Sequence, residues 1–211
     1  MYQPAHFRED RLDVLHGLIT AHPLGLLVTA GPGGLMANPV PFLLEAGTSE
    51  FGSLRAHVAR ANDHWRELTA VDECLIVFQG PQHYISPGWY ATKRETGKVV
   101  PTWNYTIVEA WGRPRVMDNG TWLHRQLNDL TDSHEQSRPA PWKVADAPES
   151  FIAAQMNGII GIEIGISRII GKWKVSQNRP AEDRAGVHAG LAEGDAAAQD
   201  MARLVAERGG L

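Results

Sequence analysis

Between Gly80 and Tyr105 the chain gathers five Tyr and Trp rings, at positions 84, 89, 90, 103 and 105, around proline corners at Pro81, Pro87 and Pro101. Aromatic faces offer large contact area with few rotors to freeze. Neighbouring neutral groups such as Gln82, Ser86 and Asn104 can then fix the orientation of a planar polar molecule. An aromatic core cluster would use the same residue types. A second candidate lies upstream, where His57, Arg60 and Asn62 end an extended segment. Asp63 can cap a following helix that carries Trp65 and Leu68, and donors converging on a helix start suit an anion such as a phosphomonoester. A solvated strand end is the plain alternative.

Other chemistries find less support. Nine histidines invite a metal or haem site, but no His, Asp or Glu cluster has ligand spacing. Gly-x-Ser-x-Gly is missing, so a Ser/His/Asp hydrolase is disfavoured. The single cysteine, Cys74, sits in the apolar run Cys74–Phe78 and reads as a small core residue. A formal net charge of −4 supplies no overall field for a phosphodiester backbone, so direct DNA binding is possible but not supported by charge. The first seven residues lack a basic and an apolar targeting region, and no window has the length of a membrane span; a cytoplasmic protein is expected.

The elements that must position these residues follow from periodicity. Leu12, Leu15, Leu18 and Ile19 recur at helical spacing behind Asp10, and Pro23 stops the helix. Residues 24–30 and 35–44 are extended around the turn Gly31–Gly34, which predicts an antiparallel hairpin; Pro39 and Pro41 belong at an edge or bulge. In strand 51–59, Leu54, Ala56 and Val58 fall on a core face, while Ser53, Arg55 and His57 fall on the other. Strand 74–79 leads into the aromatic segment, and residues 91–98 read as an exposed loop. Trp103, Tyr105 and Ile107 then alternate with Thr102, Asn104 and Thr106. Helices are expected from Thr121 through Leu130 and over 149–156. Residues 160–166 are the clearest period-two strand; it continues over 171–179, where Lys172, Lys174 and Ser176 share a face. A final helix at 196–208 would dock on the body or on a partner subunit.

Hairpin-joined strands with helices inserted between them predict an α+β domain whose sheet closes as a small barrel. A doubly wound sheet is disfavoured, since no Gly-x-Gly-x-x-Gly or Walker-type turn is present. The expected organisation is one domain over residues 1–191 and a helical tail over 192–211.

Six segments in order resemble one family: Met1-Tyr-Gln-Pro4, Asn38-Pro-Val-Pro-Phe-Leu43, His57-Val-Ala-Arg-Ala-Asn62, Gly80-Pro-Gln-His-Tyr-Ile-Ser-Pro87, Val100-Pro-Thr-Trp-Asn-Tyr105 and Lys172-Trp-Lys-Val-Ser-Gln-Asn-Arg179. Together they are similar to the PaiB-type FMN-binding negative transcriptional regulators. The resemblance implies a split β-barrel of the pyridoxamine-phosphate-oxidase-like kind and a homodimer that binds FMN. It also implies a bacterial regulator of sporulation or protease genes. By position, the resemblance sets Asn38, Pro39, Val40, Pro41 and Phe42 beside the isoalloxazine and His57 with Arg60 at the phosphate, and counts Asn62 among the cofactor-binding residues. Trp103 or Tyr105 would stack on or flank the ring, and Lys174, Gln177 and Asn178 would close the site from across the dimer. One position departs: Asp63 stands where the family carries proline. Two other functions fit the same scaffold, a flavin-dependent oxidoreductase and a haem-binding or haem-degrading protein.

Overall fold

A computed structural model describes residues 1–211. In chain order its elements are β1 (Arg8–Glu9), α1 (Leu12–Ala21), β2 (Leu24–Gly31), β3 (Gly34–Pro41), β4 (Leu43–Glu45) and β5 (Ser53–Ala59). Next come α2 (His64–Leu68), β6 (Cys74–Ile85), α3 (Lys93–Thr96), β7 (Thr102–Met117) and α4 (Gly120–Glu135). The chain ends with α5 (Glu149–Asn157), β8 (Ile159–Lys174), α6 (Ala181–Ala192) and α7 (Ala196–Gly209). These fall into two compact units. The first comprises Met1–Leu18, Gln79–Val108 and Ile170–Leu211; the second comprises Ile19–Phe78 and Glu109–Ile169. No helix is long and apolar enough to cross a membrane.

The second unit is built on a sheet of order β3-β2-β6-β7-β8-β5-β4. The predicted hairpin forms with Leu24 opposite Pro41 and Gly31 opposite Gly34, where φ is +96° and glycine is the residue that adopts it freely. The Phe42 N–H donates to the Pro23 carbonyl at 2.8 Å. Positions 39 and 41 therefore fall at the alternate pairs that exchange no ladder bond, and proline there forfeits none. Along β5 and β8 the register runs from Ser53 opposite Gly165 to Ala59 opposite Ile159. Leu54, Ala56 and Val58 thus meet Ile160, Ile162 and Ile164 in the core, which also holds Phe42 and Phe78, edge to face at 5.8 Å. β3 also contacts β5, so the sheet curls back on itself.

In the first unit β1 pairs with β8, Arg8 opposite Lys172. Buried Glu9 beside it receives Arg11 Nη2 at 2.8 Å and Arg208 Nη2 at 2.6 Å. Hydrogen bonding from Arg11 leads the causes that hold its carboxyl down to about 2. α7 docks within its own unit: Ala198, Met201, Ala202 and Val205 join Val187 and Leu191 of α6, Ile85, Tyr90 and Val175 in one cluster. Residues 192–211 therefore share a compact unit with residues 170–191.

Several details differ from expectation. α6 was not foreseen, because its polar and small residues carry no clear apolar stripe; Gly186 and Gly190 instead let Trp89 lie against it. β6 runs on through Pro81 to Ile85, and the loop over 91–98 holds the short α3. Asp63 makes no side-chain cap to α2; it pairs with Arg66, and Asn62 Oδ1 takes the His64 N–H at 3.1 Å instead.

A Cβ added at Gly186 would stand 2.0 Å from the Trp89 carbonyl oxygen, whereas one at Gly17 would meet nothing within 4 Å. Gly186→Ala is expected to lower stability by about 1–3 kcal/mol through overpacking. Gly17→Ala, in a helix interior, is expected to raise it by about 0.5–1 kcal/mol. Denaturant unfolding of both variants checks the opposite signs.

Candidate functional site

In the second unit the end of β5 was expected to grip an anion. The structure gives Arg60 other partners: Nη1 and Nη2 bond the two Asp118 carboxylate oxygens at 3.0 and 2.7 Å, Nε reaches the Asn157 carbonyl at 3.1 Å, and Nη2 also reaches the Ile159 carbonyl at 3.1 Å. The bond from Arg60 holds the Asp118 carboxyl below its usual range. Arg60 is thus a bracket that ties the strand end to the start of α4, and a phosphate there would have to displace Asp118. His57 is half-buried, its Nδ1 has no hydrogen-bond partner, and burial lowers its pKa. A neutral imidazole and a neutralised guanidinium make a weak anion grip.

Both faces of β5 are covered. Leu54 and Ala56 point to the core, and Arg55, 3% exposed, lies under α4 with Asp129 at 2.7 Å and Glu45 at 3.3 Å. On the buried face of α4, Gln126 has no hydrogen-bond partner for either end of its amide. A nearby cleft of about 370 Å³ also carries balanced charge: Arg115 pairs with Glu163 at 3.2 Å and Arg113 with Asp72 at 3.6 Å. Cys74 is inert, its thiol pushed up to about 12 by burial and by Glu73.

The hairpin turns its polar groups inward. His64 is fully buried; its Nε2 lies 3.0 Å from Thr29 Oγ1 and its Nδ1 lies 2.9 Å from Asn38 Nδ2. With the Asn38 amide so oriented, Nδ2 donates, so Nδ1 must accept and the ring proton sits on Nε2, bonded to Thr29. The Asn38 side chain is therefore committed to His64 rather than to a ligand. Val40 and Phe42 are core residues, and Pro39 and Pro41 are exposed. The outward hairpin face consists of Leu24, Leu26, Val28 and Ala30 opposite Pro41, Pro39, Ala37 and Leu35, with Leu35 83% exposed. Every one of these residues is apolar.

The first unit holds the more open chemistry. Trp103, 48% exposed, packs edge to face with exposed Tyr84 at 6.1 Å, and its indole N–H donates to Gln82 Oε1 at 2.5 Å. The Lys174 ammonium bonds Thr102 Oγ1 at 2.5 Å and the Trp103 carbonyl at 2.6 Å. Burial, then neighbouring Lys172 and Arg179, lower the Lys174 pKa. Lys172 lies 5.2 Å from the Tyr105 ring. Gln177 braces its own strand end, accepting from the Val175 N–H at 2.8 Å and donating to the Trp173 carbonyl, so it has no end left for a ligand. Asn178 is exposed.

Of the expected residues, Trp103, Tyr105 and Lys174 are thus brought together in the first unit. Asn38, Arg60, Asn62 and Gln177 are tied into internal bonds. Sequence reasoning counted Tyr84 in the aromatic cluster without giving it a role, and left Lys172 and Arg179 out of the site. The alternation that puts Lys172 and Lys174 on one face was the available signal.

Residues 1–168 match the family model described as "Putative FMN-binding domain". An uncharacterised protein of Emericella nidulans is 36% identical, with 99% of this chain and 98% of that one aligned. The protease synthase and sporulation protein PAI 2 of Bacillus subtilis is 27% identical over 99% of this chain and 98% of its own. Among solved structures, the FAD- and haem-binding protein of Mycobacterium smegmatis aligns over 79% of this chain and 73% of its own, at 15% identity and a TM-score of 0.56. At that identity the likeness speaks for the fold alone. The fold is the α+β split barrel expected from the sequence.

Burial also lowers the His64 pKa. A histidine kept neutral when folded but free to protonate when unfolded binds fewer protons in the native state. Its contribution is therefore complete above the unfolded value of about 6.5 and is lost as pH falls through the interval down to the lowered folded value. Wild-type denaturant midpoints should fall between about pH 7 and 5.5. The fall should be smaller in His64→Gln; an unchanged slope would clear His64 of the effect.

Proposed function

The chain belongs to the FMN-binding domain family, and from that premise we propose that it is a dimeric FMN protein of the PaiB type that acts as a negative regulator of gene expression. The match over residues 1–168 carries the flavin reading. The residues present fit the group. Tyr84 and Trp103 offer an exposed aromatic platform for one face of the isoalloxazine, and the bond to Gln82 restrains the indole. Lys174 places positive charge against the Trp103 backbone, beside that platform. Bound flavin would supply hydride or one-electron chemistry, while the protein supplies binding, orientation and electrostatics.

The regulatory part of the reading is supported by the likeness to the Bacillus sporulation protein over nearly the whole chain. With a net charge of −4, repression would run through a protein partner rather than through direct grip on DNA. The dimer is supported by the outward hairpin face, because an exposed apolar strand pair is removed from water when it packs on its own copy. This assigns Pro39 and Pro41 to the subunit contact.

Titrating the purified protein with FMN should give saturable quenching of flavin fluorescence, and Trp103→Ala should weaken binding by about tenfold or more. No quenching by FMN, or a haem spectrum in its place, rejects the reading. Sedimentation should show a dimer that Leu24→Asp with Leu35→Asp converts to monomer; a monomeric unaltered chain rejects the interface.

A further inference from the structure

Most cations that this fold buries or ties down meet acids; Arg184, whose Nη1 bonds the Arg179 carbonyl at 2.8 Å, does not. Arg55 has Glu45 and Asp129, Arg60 has Asp118, and Arg208 has Glu9. The end of β8 breaks that rule. Lys172 is 6% exposed, yet its ammonium bonds only the Tyr2 carbonyl at 2.9 Å and faces the Tyr2 and Tyr105 rings at 5.5 and 5.2 Å. Lys174 bonds a hydroxyl and a carbonyl. The Arg179 guanidinium lies 4.7 Å over the Tyr90 ring. Asp183, the buried carboxylate of α6, is taken by the Thr92 N–H at 3.0 Å and hydroxyl at 2.8 Å. Burial first, and then Lys172 and Arg179, depress the Lys174 pKa; the partners of the three cations are carbonyls, a hydroxyl and aromatic rings, not carboxylates.

The backbone at the same place is strained. Ser176 has φ +66°, the only non-glycine residue with a positive value, and its buried hydroxyl accepts from Asn104 Nδ2 at 2.9 Å. The Arg179 N–H closes the turn on the Ser176 carbonyl at 2.9 Å. Strain of this kind persists where surrounding contacts over-determine it, and it collects at ligand sites. Donors are also left over: Lys172 uses one ammonium hydrogen and Lys174 uses two.

We propose that Lys172, Lys174 and Arg179, arranged around the Ser176 turn, form a site for a phosphomonoester. A dianionic group with several acceptor oxygens answers three cations better than a carboxylate does. Its source is either the terminal phosphate of the flavin or a second phosphorylated ligand. The inference goes beyond the flavin reading, since the site stands whichever molecule carries the phosphate.

The test begins without flavin. Thermal unfolding is followed as inorganic phosphate replaces chloride at constant ionic strength. Wild type should be stabilised saturably; Lys174→Gln and Arg179→Gln should lose that response while unfolding, without phosphate, at or above the wild-type temperature, since each removes a repelling charge. No saturable response in wild type, an equal response in the variants, or a variant destabilised without phosphate would overturn the proposal. FMN and riboflavin titrations then assign the source. A loss of about tenfold or more for FMN alone places the flavin phosphate here; unchanged flavin binding beside a lost phosphate response places a second ligand here. Absence of any flavin binding would end the cofactor reading and leave the phosphate result standing.

Discussion

Alternation along antiparallel strands is the constraint on which the arrangement depends. Successive side chains point to opposite faces, so once β5 sets Leu54, Ala56 and Val58 against the isoleucines of β8, Arg55 and His57 have no choice of side. Their environment is then decided by what covers that side. α4 does so, bringing Asp129 to Arg55 and leaving His57 neutral and partly buried. The same rule in β2 and β3 turns Thr29 and Asn38 inward to His64 and presents an apolar sheet face outward. In β8 it puts Lys172 and Lys174 on one side of the strand that ends at Ser176.

Charge compensation separates scaffold from chemistry within this frame. A buried charge without a partner is costly, so a fold that pairs Arg55, Arg60 and Arg208 with carboxylates while leaving Lys172, Lys174 and Arg179 unpaired is making a local exception. Scaffold charges answer to neighbours in the same chain. Those left unanswered, beside a strained turn and an exposed aromatic pair, are the groups that can answer to a ligand.

The strands and their order of appearance were legible because periodicity is local. The hairpin of residues 24–30 and 35–44, the period-two run at 160–166 and the helix over 196–208 follow from spacing alone, and the structure has all three, with the second hairpin strand ending at Pro41. α6 was not legible, since Gly186 and Gly190 are helix-weakening residues whose value appears only when Trp89 lies against them. The anion role of Arg60 was read from a donor-rich strand end. The carboxylate that neutralises it, Asp118, is 58 residues away in sequence and is brought there by the fold.

Residue types and their local spacing thus determined the α+β class, the inventory of aromatic and cationic side chains, and which of them share a strand face. Only tertiary structure decided which cations are neutralised, which polar groups are locked to one another, and which rings stay open to solvent. The physical reason is range. Backbone periodicity is fixed by neighbours within a turn or a pleat, whereas burial and charge pairing depend on groups that loop closure brings together from distant parts of the chain.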